Sequence, residues 1–147
     1  MNKCVIVFGG DGFCGWPTSL RLATSGYRVV IVDNLSRRRI DDDLGSESLT
    51  EIASIEDRIE AASEYFGEII YENIDVAHQP KELLSLLVKY SPQAVIQFAE
   101  QRAAPYSMIG SKERRYTVNN NISGTHNICD AIISSGLDIH LVHLGTM

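Results

Sequence analysis

No apolar run in the 147 residues exceeds about five positions, far short of the roughly 20 that a membrane-spanning helix needs. A signal peptide is also missing: Val5-Ile6-Val7-Phe8 runs directly into Gly9-Gly10, without a long apolar segment or a cleavage site. Low-complexity tracts are absent, and 44% apolar with 22% charged residues excludes a disordered chain. Basic residues are in deficit. Thirteen stand against nineteen acidic ones, a net charge of −6, which argues against nucleic acid as the main partner because that needs a basic face to replace counterions. Cys4, Cys14 and Cys129 are an odd number, spaced as neither a zinc site nor a redox pair, and suit a reducing cytoplasm. His78, His126, His140 and His143 are scattered over different elements and read as surface or packing residues, not as a metal site. What is present is enough chain for one domain, which at this size buries roughly 70% of the surface its unfolded form exposes.

Short apolar runs alternate with longer amphipathic stretches. Cys4 to Phe8 and Arg28 to Val32 read as buried strands rich in β-branched residues; Glu68 to Ile74, Ala94 to Phe98 and Ile139 to Leu144 are three more. Leu20, Leu22 and Ala23 mark a first helix, stopped by Ser25-Gly26. A second is entered at Pro80 and closed before Pro92, and a long third runs from about Lys112 to Ser135 with Gly136 as its stop. Strand-helix alternation with apolar strands predicts a Rossmann-type α/β fold: a doubly wound parallel sheet of five strands in order 3-2-1-4-5. The polar stretch from Asn34 to about Ile55 is too long for an ordinary connection. The last strand has no helix after it to cover its edge, so the chain reads as cut.

Gly9-Gly10-Asp11-Gly12-Phe13-Cys14-Gly15 follows the first strand and opens the first helix, with Gly9, Gly12 and Gly15 spaced G-x-x-G-x-x-G. A dinucleotide site needs glycine there for the sharp turn, for backbone approach to the pyrophosphate and for close helix–strand packing. The helix start then offers N–H groups and a partial positive charge to the phosphates. Alone, the triplet could equally be a tight turn. Asp33 tips the balance: it ends the second strand, eighteen residues after Gly15, where a carboxylate accepts both ribose hydroxyls of adenosine. The same carboxylate repels a 2′-phosphate, so NAD is expected over NADP. Arg37, Arg38 and Arg39 are either a solvated basic loop or contacts to adenosine or pyrophosphate; Arg37 and Arg38 are taken as contacts. Phe13, Cys14 and Asn34 complete this part of the candidate site.

This spacing is that of the extended short-chain dehydrogenase/reductases, the NAD-dependent epimerases and dehydratases of nucleotide sugars. Val32-Asp33-Asn34-Leu35-Ser36-Arg37-Arg38, Leu44 to Thr50, Ile52 to Ile55, Phe98 to Met108, Asn119 to Thr125 and His143-Leu144-Gly145-Thr146-Met147 resemble the UDP-sulfoquinovose synthase family. The resemblance covers essentially the whole chain but only the first part of that family's enzyme. It implies a bound NAD that serves as a temporary hydride store while UDP-glucose and sulfite become UDP-sulfoquinovose, the sulfolipid head-group sugar. The sugar would be oxidised at C4, the C5 proton would become acidic and the C6 hydroxyl would leave as water. Sulfite would then add at C6 and the hydride return to C4.

By the same resemblance, Asp75 and Val76 match the pair that contacts adenine, and Phe98, Ala99 and Asn120 face the cofactor. Arg102 lies near the nicotinamide end and the substrate. Thr146 matches the hydroxyl that bonds the sugar 4-OH and helps its deprotonation. Read without the family, Asp75 is a turn residue, Asn120 a polar-face residue and Arg102 a loop cation. Glu100 and Gln101 lie in the specific segment without an assigned role. The superfamily pairs its hydroxyl with a Tyr-x-x-x-Lys helix, and none of the six tyrosines has lysine four positions on. Residues 1–147 are therefore expected to form an incomplete NAD-binding domain, inactive alone, of an enzyme that is a homodimer at full length. Two other readings stay open: a different NAD-dependent UDP-sugar epimerase or dehydratase, and a non-catalytic nucleotide-binding module.

Overall fold

β1 (Cys4–Phe8) is buried at every position, as a strand covered on both faces must be. Its side chains alternate between two cores. Ile6 and Phe8 share one with Val30, Val32, Leu83, Leu87 and Ile128; Val5 and Val7 share the other with Val29, Ile31, Ala23 and Ala62. The computed structural model describes residues 3–102 and 104–145. β2 (Arg28–Val32) lies on one side of β1 and β4 (Ala94–Gln97) on the other, with β3 (Ile69–Glu72) outside β2 and β5 (His140–His143) outside β4. All pairings are parallel, so the expected order β3-β2-β1-β4-β5 is the order found.

α1 (Gly15–Thr24) and α3 (Ile55–Phe66) cover one face; α4 (Pro80–Tyr90) and α7 (Gly124–Ser135) cover the other. Pro80 stands in the first turn of α4, where its missing N–H costs nothing, and Leu83, Leu86 and Leu87 are its buried stripe.

The polar stretch after β2 is where structure and expectation part. It holds α2 (Ser36–Asp43) and leads into α3, neither of which was expected. α3 carried a readable signal: Ser54 Oγ accepts from the Asp57 N–H at 3.0 Å, and Ile55, Ile59 and Ala62 fall on one face. α2 did not, since among Ser-Arg-Arg-Arg-Ile-Asp-Asp-Asp only Ile40 is buried. The segment after β4 forms a further short helix, α5 (Ala104–Ile109). The single long helix expected from Lys112 is instead α6 (Ser111–Val118), a π-helical turn at Asn119–Ser123, and α7. β3 and β5 are shorter than expected, and β5 is half-open, with Val142 43% exposed.

Candidate cofactor site

The site lies beyond the carboxyl ends of β1, β2 and β4, where open α/β sheets bind ligands. Gly9 turns the chain off β1 with φ +74°, and a Cβ there would stand 2.6 Å from the Phe98 carbonyl carbon. Gly15 opens α1 under tighter constraint still: a Cβ on it would come within 2.1 Å of the Gly9 carbonyl oxygen. The turn is thus pressed against both the end of β4 and the start of α1. Cys14, the N-cap of α1, makes no side-chain capping bond; Trp16 N–H donates to the Gly12 carbonyl at 3.0 Å and Pro17 has no N–H, so the helix start meets an anion mainly with its dipole and the backbone of the glycine turn before it.

Asp33 is held from three sides. Its Oδ2 accepts from the Asp11 N–H at 3.1 Å, its Oδ1 from the Leu35 N–H at 2.8 Å, and its carbonyl from the Tyr71 hydroxyl at 3.1 Å. Burial, then the nearby Asp33 carboxylate, pushes the Tyr71 phenol up to about 12, so it stays a donor. Leu35 is left-handed (φ 54°), a strain of about 1–3 kcal/mol that its bond to Asp33 helps to hold. Burial raises the Asp33 carboxyl above its ordinary value, opposed by the two N–H donors. A carboxylate has about four lone-pair sites. Two are used, which leaves acceptors for two hydroxyls.

The turn, Asp33 and the end of β4 enclose a cleft of about 340 Å³, within the range of small-ligand sites. Of the candidate residues, Gly9, Gly12, Phe13, Cys14, Gly15, Asp33, Asn34, Arg37, Val76, Phe98, Ala99, Arg102 and Asn120 line it. Two do not. Arg38 turns away to Asp11 (Nε to Oδ2, 2.9 Å). Asp75 takes the Asn34 amide at 2.8 Å and the Ala77 N–H at 2.9 Å, so it joins the β2 and β3 ends and closes its own turn. Burial would raise its carboxyl, but Asn34, His78 and Ala77 outweigh that and hold it low. Arg37 lines the cleft while its Nη2 pairs with Asp41 at 2.9 Å. Thr146 lies outside the described residues.

Asp11, Ser36, Ile40, Ile74, Tyr116 and Leu144 also line the cleft and were not anticipated. Two of the three consecutive asparagines at 119–121 hold the loop after β4. Asn121 Oδ1 accepts from the Gln101 N–H at 2.8 Å and its amide donates to the Gln101 carbonyl at 3.1 Å; Asn120 donates to the Ala99 carbonyl at 3.3 Å. The π-helical turn thus fastens the loop after β4, one of the functional-site uses of such turns. Gln101, one of the two motif residues without a role, thus ties the loop to the turn before α7, while Glu100 lies 3.6 Å from His143 Nε2 at the end of β5. Asn121→Ala should lower stability by about 1–3 kcal/mol, because two backbone groups of Gln101 lose their partner; a urea melt superimposable on that of the wild type would exclude this fastening role.

The residues fit a dinucleotide: an anion-binding helix start beside a glycine turn, and a half-buried carboxylate one strand away at the ribose position. Among the described residues no group of three or more His, Cys, Asp or Glu could hold a metal ion, and no helix is long and apolar enough to cross a membrane.

The profile of the NAD dependent epimerase/dehydratase family matches residues 5–147. The chain belongs to that family. The chloroplastic UDP-sulfoquinovose synthase of Spinacia oleracea is 45% identical over 99% of this chain and 30% of its own length. The UDP-sulfoquinovose synthase of Sulfolobus acidocaldarius is 36% identical over 97% of this chain and 36% of its own. The chain therefore spans about a third of the length of these relatives. In fold it is similar to the UDP-glucose-4-epimerase of Stenotrophomonas maltophila solved with NAD and formylated UDP-arabinopyranose (TM-score 0.71, 24% identity, 97% of this chain and 36% of that one). The Brucella ovis UDP-glucose 4-epimerase in complex with NAD matches with TM-score 0.67 at 26% identity, over 96% of this chain and 35% of that one.

Proposed function

We propose that these residues form the NAD-binding part of a UDP-sulfoquinovose synthase. The observation that carries the reading is the 45% identity to the Spinacia enzyme along a chain whose glycine turn, Asp33 and Asn120 converge on one cleft. Bound NAD would supply a hydride acceptor that later returns the hydride. The chain's own residues do the holding: Gly12 to Gly15 and the α1 start take the pyrophosphate, Asp33 the adenosine ribose, and Val76 and Ile74 an apolar wall. Asn120, fastened to the Ala99 carbonyl, sets the height of the loop that carries Arg102, whose guanidinium orients the nucleotide sugar. Thr146 is assigned the hydrogen bond to the sugar 4-OH. The 147 residues hold no Tyr-x-x-x-Lys, so they are expected to bind without turning over. Homodimerisation and a cytoplasmic location belong to the same reading.

A chimera tests it. Residues 1–147 would replace the matching segment of the Spinacia enzyme and be supplied with UDP-glucose and sulfite. A sulfonated sugar nucleotide identified by mass spectrometry is the expected product. UDP-galactose without sulfonate would favour the second reading, a 4-epimerase, which several relatives at 26–32% identity bring into view.

The Asp33 carboxyl also predicts a pH dependence. Ribose hydroxyls donate to the ionised form, and burial has raised its proton affinity. NAD affinity should therefore be full at neutral pH and fall as pH drops through a midpoint above the ordinary value of about 4. For folding the sign is opposite, because the raised value favours the protonated form in the native state. Calorimetric titrations from neutral to mildly acidic pH check the first; a flat profile down to the ordinary carboxylate range would count against it.

A further inference from the structure

Where the glycine turn meets α2 and α3, at the edge of the cleft, it carries charge that cofactor binding does not explain. Asp11, its side chain 5% exposed, receives Arg38 of α2 through Nε at 2.9 Å and Nη2 at 3.1 Å. Arg58 of α3 donates to the same carboxylate through Nη2, and its guanidinium lies 4.4 Å over the Trp16 ring. Arg58 Nε is buried without a hydrogen-bond partner. The Asp11 N–H donates to Asp33 Oδ2 at 3.1 Å, so this cluster abuts the carboxylate assigned to the adenosine ribose.

We propose that Asp11 is a specificity-determining residue, whose carboxylate fills the anion position between Arg38 and Arg58 that the 2′-phosphate of NADP would otherwise take. The inference rests on the reading of the cleft as a dinucleotide site. Guanidinium forks pair with carboxylate and phosphate in the same geometry. With Asp11 in place both guanidinium groups are paired to one carboxylate, and a 2′-phosphate meets two carboxylates, Asp11 and Asp33. Asp33 alone would oppose two arginines and lose much of its selectivity. With the Asp11 charge removed, two partly buried cations beside the ribose position lose the anion they are hydrogen-bonded to, a costly state that an incoming phosphate would relieve. A simple latch joining the turn to α2 and α3 would alter stability and both affinities together. A specificity device alters their ratio.

The test is calorimetric titration of the full chain with NAD and with NADP. Asp11→Asn keeps the shape and removes the charge; the affinity for NADP relative to NAD should rise by at least about tenfold. Adding Arg38→Ala to that variant should cancel most of the gain. Trp16 is the only tryptophan, so its emission should respond to NADP in Asp11→Asn as Arg58 moves toward the phosphate. Arg38→Ala alone, at a half-exposed position, covers the case in which Asp11→Asn does not fold. It leaves Asp11 undercompensated and should shift the ratio further toward NAD. An unmoved ratio in whichever variant folds overturns the proposal while leaving the dinucleotide reading intact. Wild-type chain that binds neither cofactor would remove that reading and this proposal with it.

Discussion

Gly15→Ala should weaken NAD binding by about a hundredfold and destabilise the chain by about 1–3 kcal/mol or more. The added methyl would lie 2.1 Å from the Gly9 carbonyl oxygen and 2.6 Å from the Gly10 Cα, both backbone atoms that no rotamer change can move. The turn would have to open by something on the order of an ångström, and misplacement of that size at a binding backbone costs about a hundredfold. Gly12→Ala is the control. Its Cβ would meet the Gly9 oxygen at 3.3 Å, a contact that a small adjustment relieves, so the fold should survive. Urea denaturation reports the stability and calorimetry the binding. A Gly15→Ala chain with wild-type stability and NAD affinity would mean that the turn is not packed against α1 as described.

Asp33→Ala should weaken NAD binding about ten- to a hundredfold, the loss of one charged acceptor worth about 1.5–3 kcal/mol. Relative tolerance of NADP should improve, since one source of repulsion goes. The geometry adds a second consequence. Asp33 also accepts from Asp11 and Leu35, so alanine strands two N–H groups and releases the left-handed Leu35. Stability should fall with affinity. Asp33→Asn separates the two effects: it retains one acceptor oxygen for the turn but lacks the charge that the ribose hydroxyls favour, so it should fold better than alanine and still bind weakly. If both variants retain wild-type NAD affinity, the ribose contact lies elsewhere, and an unchanged preference for NAD over NADP would give selectivity to other groups.

β1, β2, the glycine turn and Asp33 were legible in the chain because each is a local pattern. A buried parallel strand must be apolar throughout, a turn that packs under a helix start must lack Cβ atoms, and the acidic residue follows at the length of one helix and one strand. α3 was legible in principle through Ser54 and the Ile55, Ile59, Ala62 stripe, but the long polar approach to it obscured the start. Arg37 and Arg38 show the limit. They are neighbours of one residue type on one short helix, and nothing local separates the one that lines the cleft from the one that turns to Asp11.

That separation was made by partners far away along the chain. Asp11 joins Arg38 and Arg58 across 27 and 47 positions, and Gln101 joins Asn121 across 20. The covalent order determines which residues can build a strand, a turn or a helix, because those depend on backbone sterics and on apolar spacing within a few residues. Which charged groups neutralise one another depends instead on where the packed sheet brings its loops, and on the cost of leaving a cation buried without an anion. The family, the sheet order and the placing of Asp33 at the end of β2 thus came from the amino-acid sequence; the pairing of Asp11 with Arg38 and Arg58, and the asparagine clamp on the loop after β4, exist only once the chain has folded.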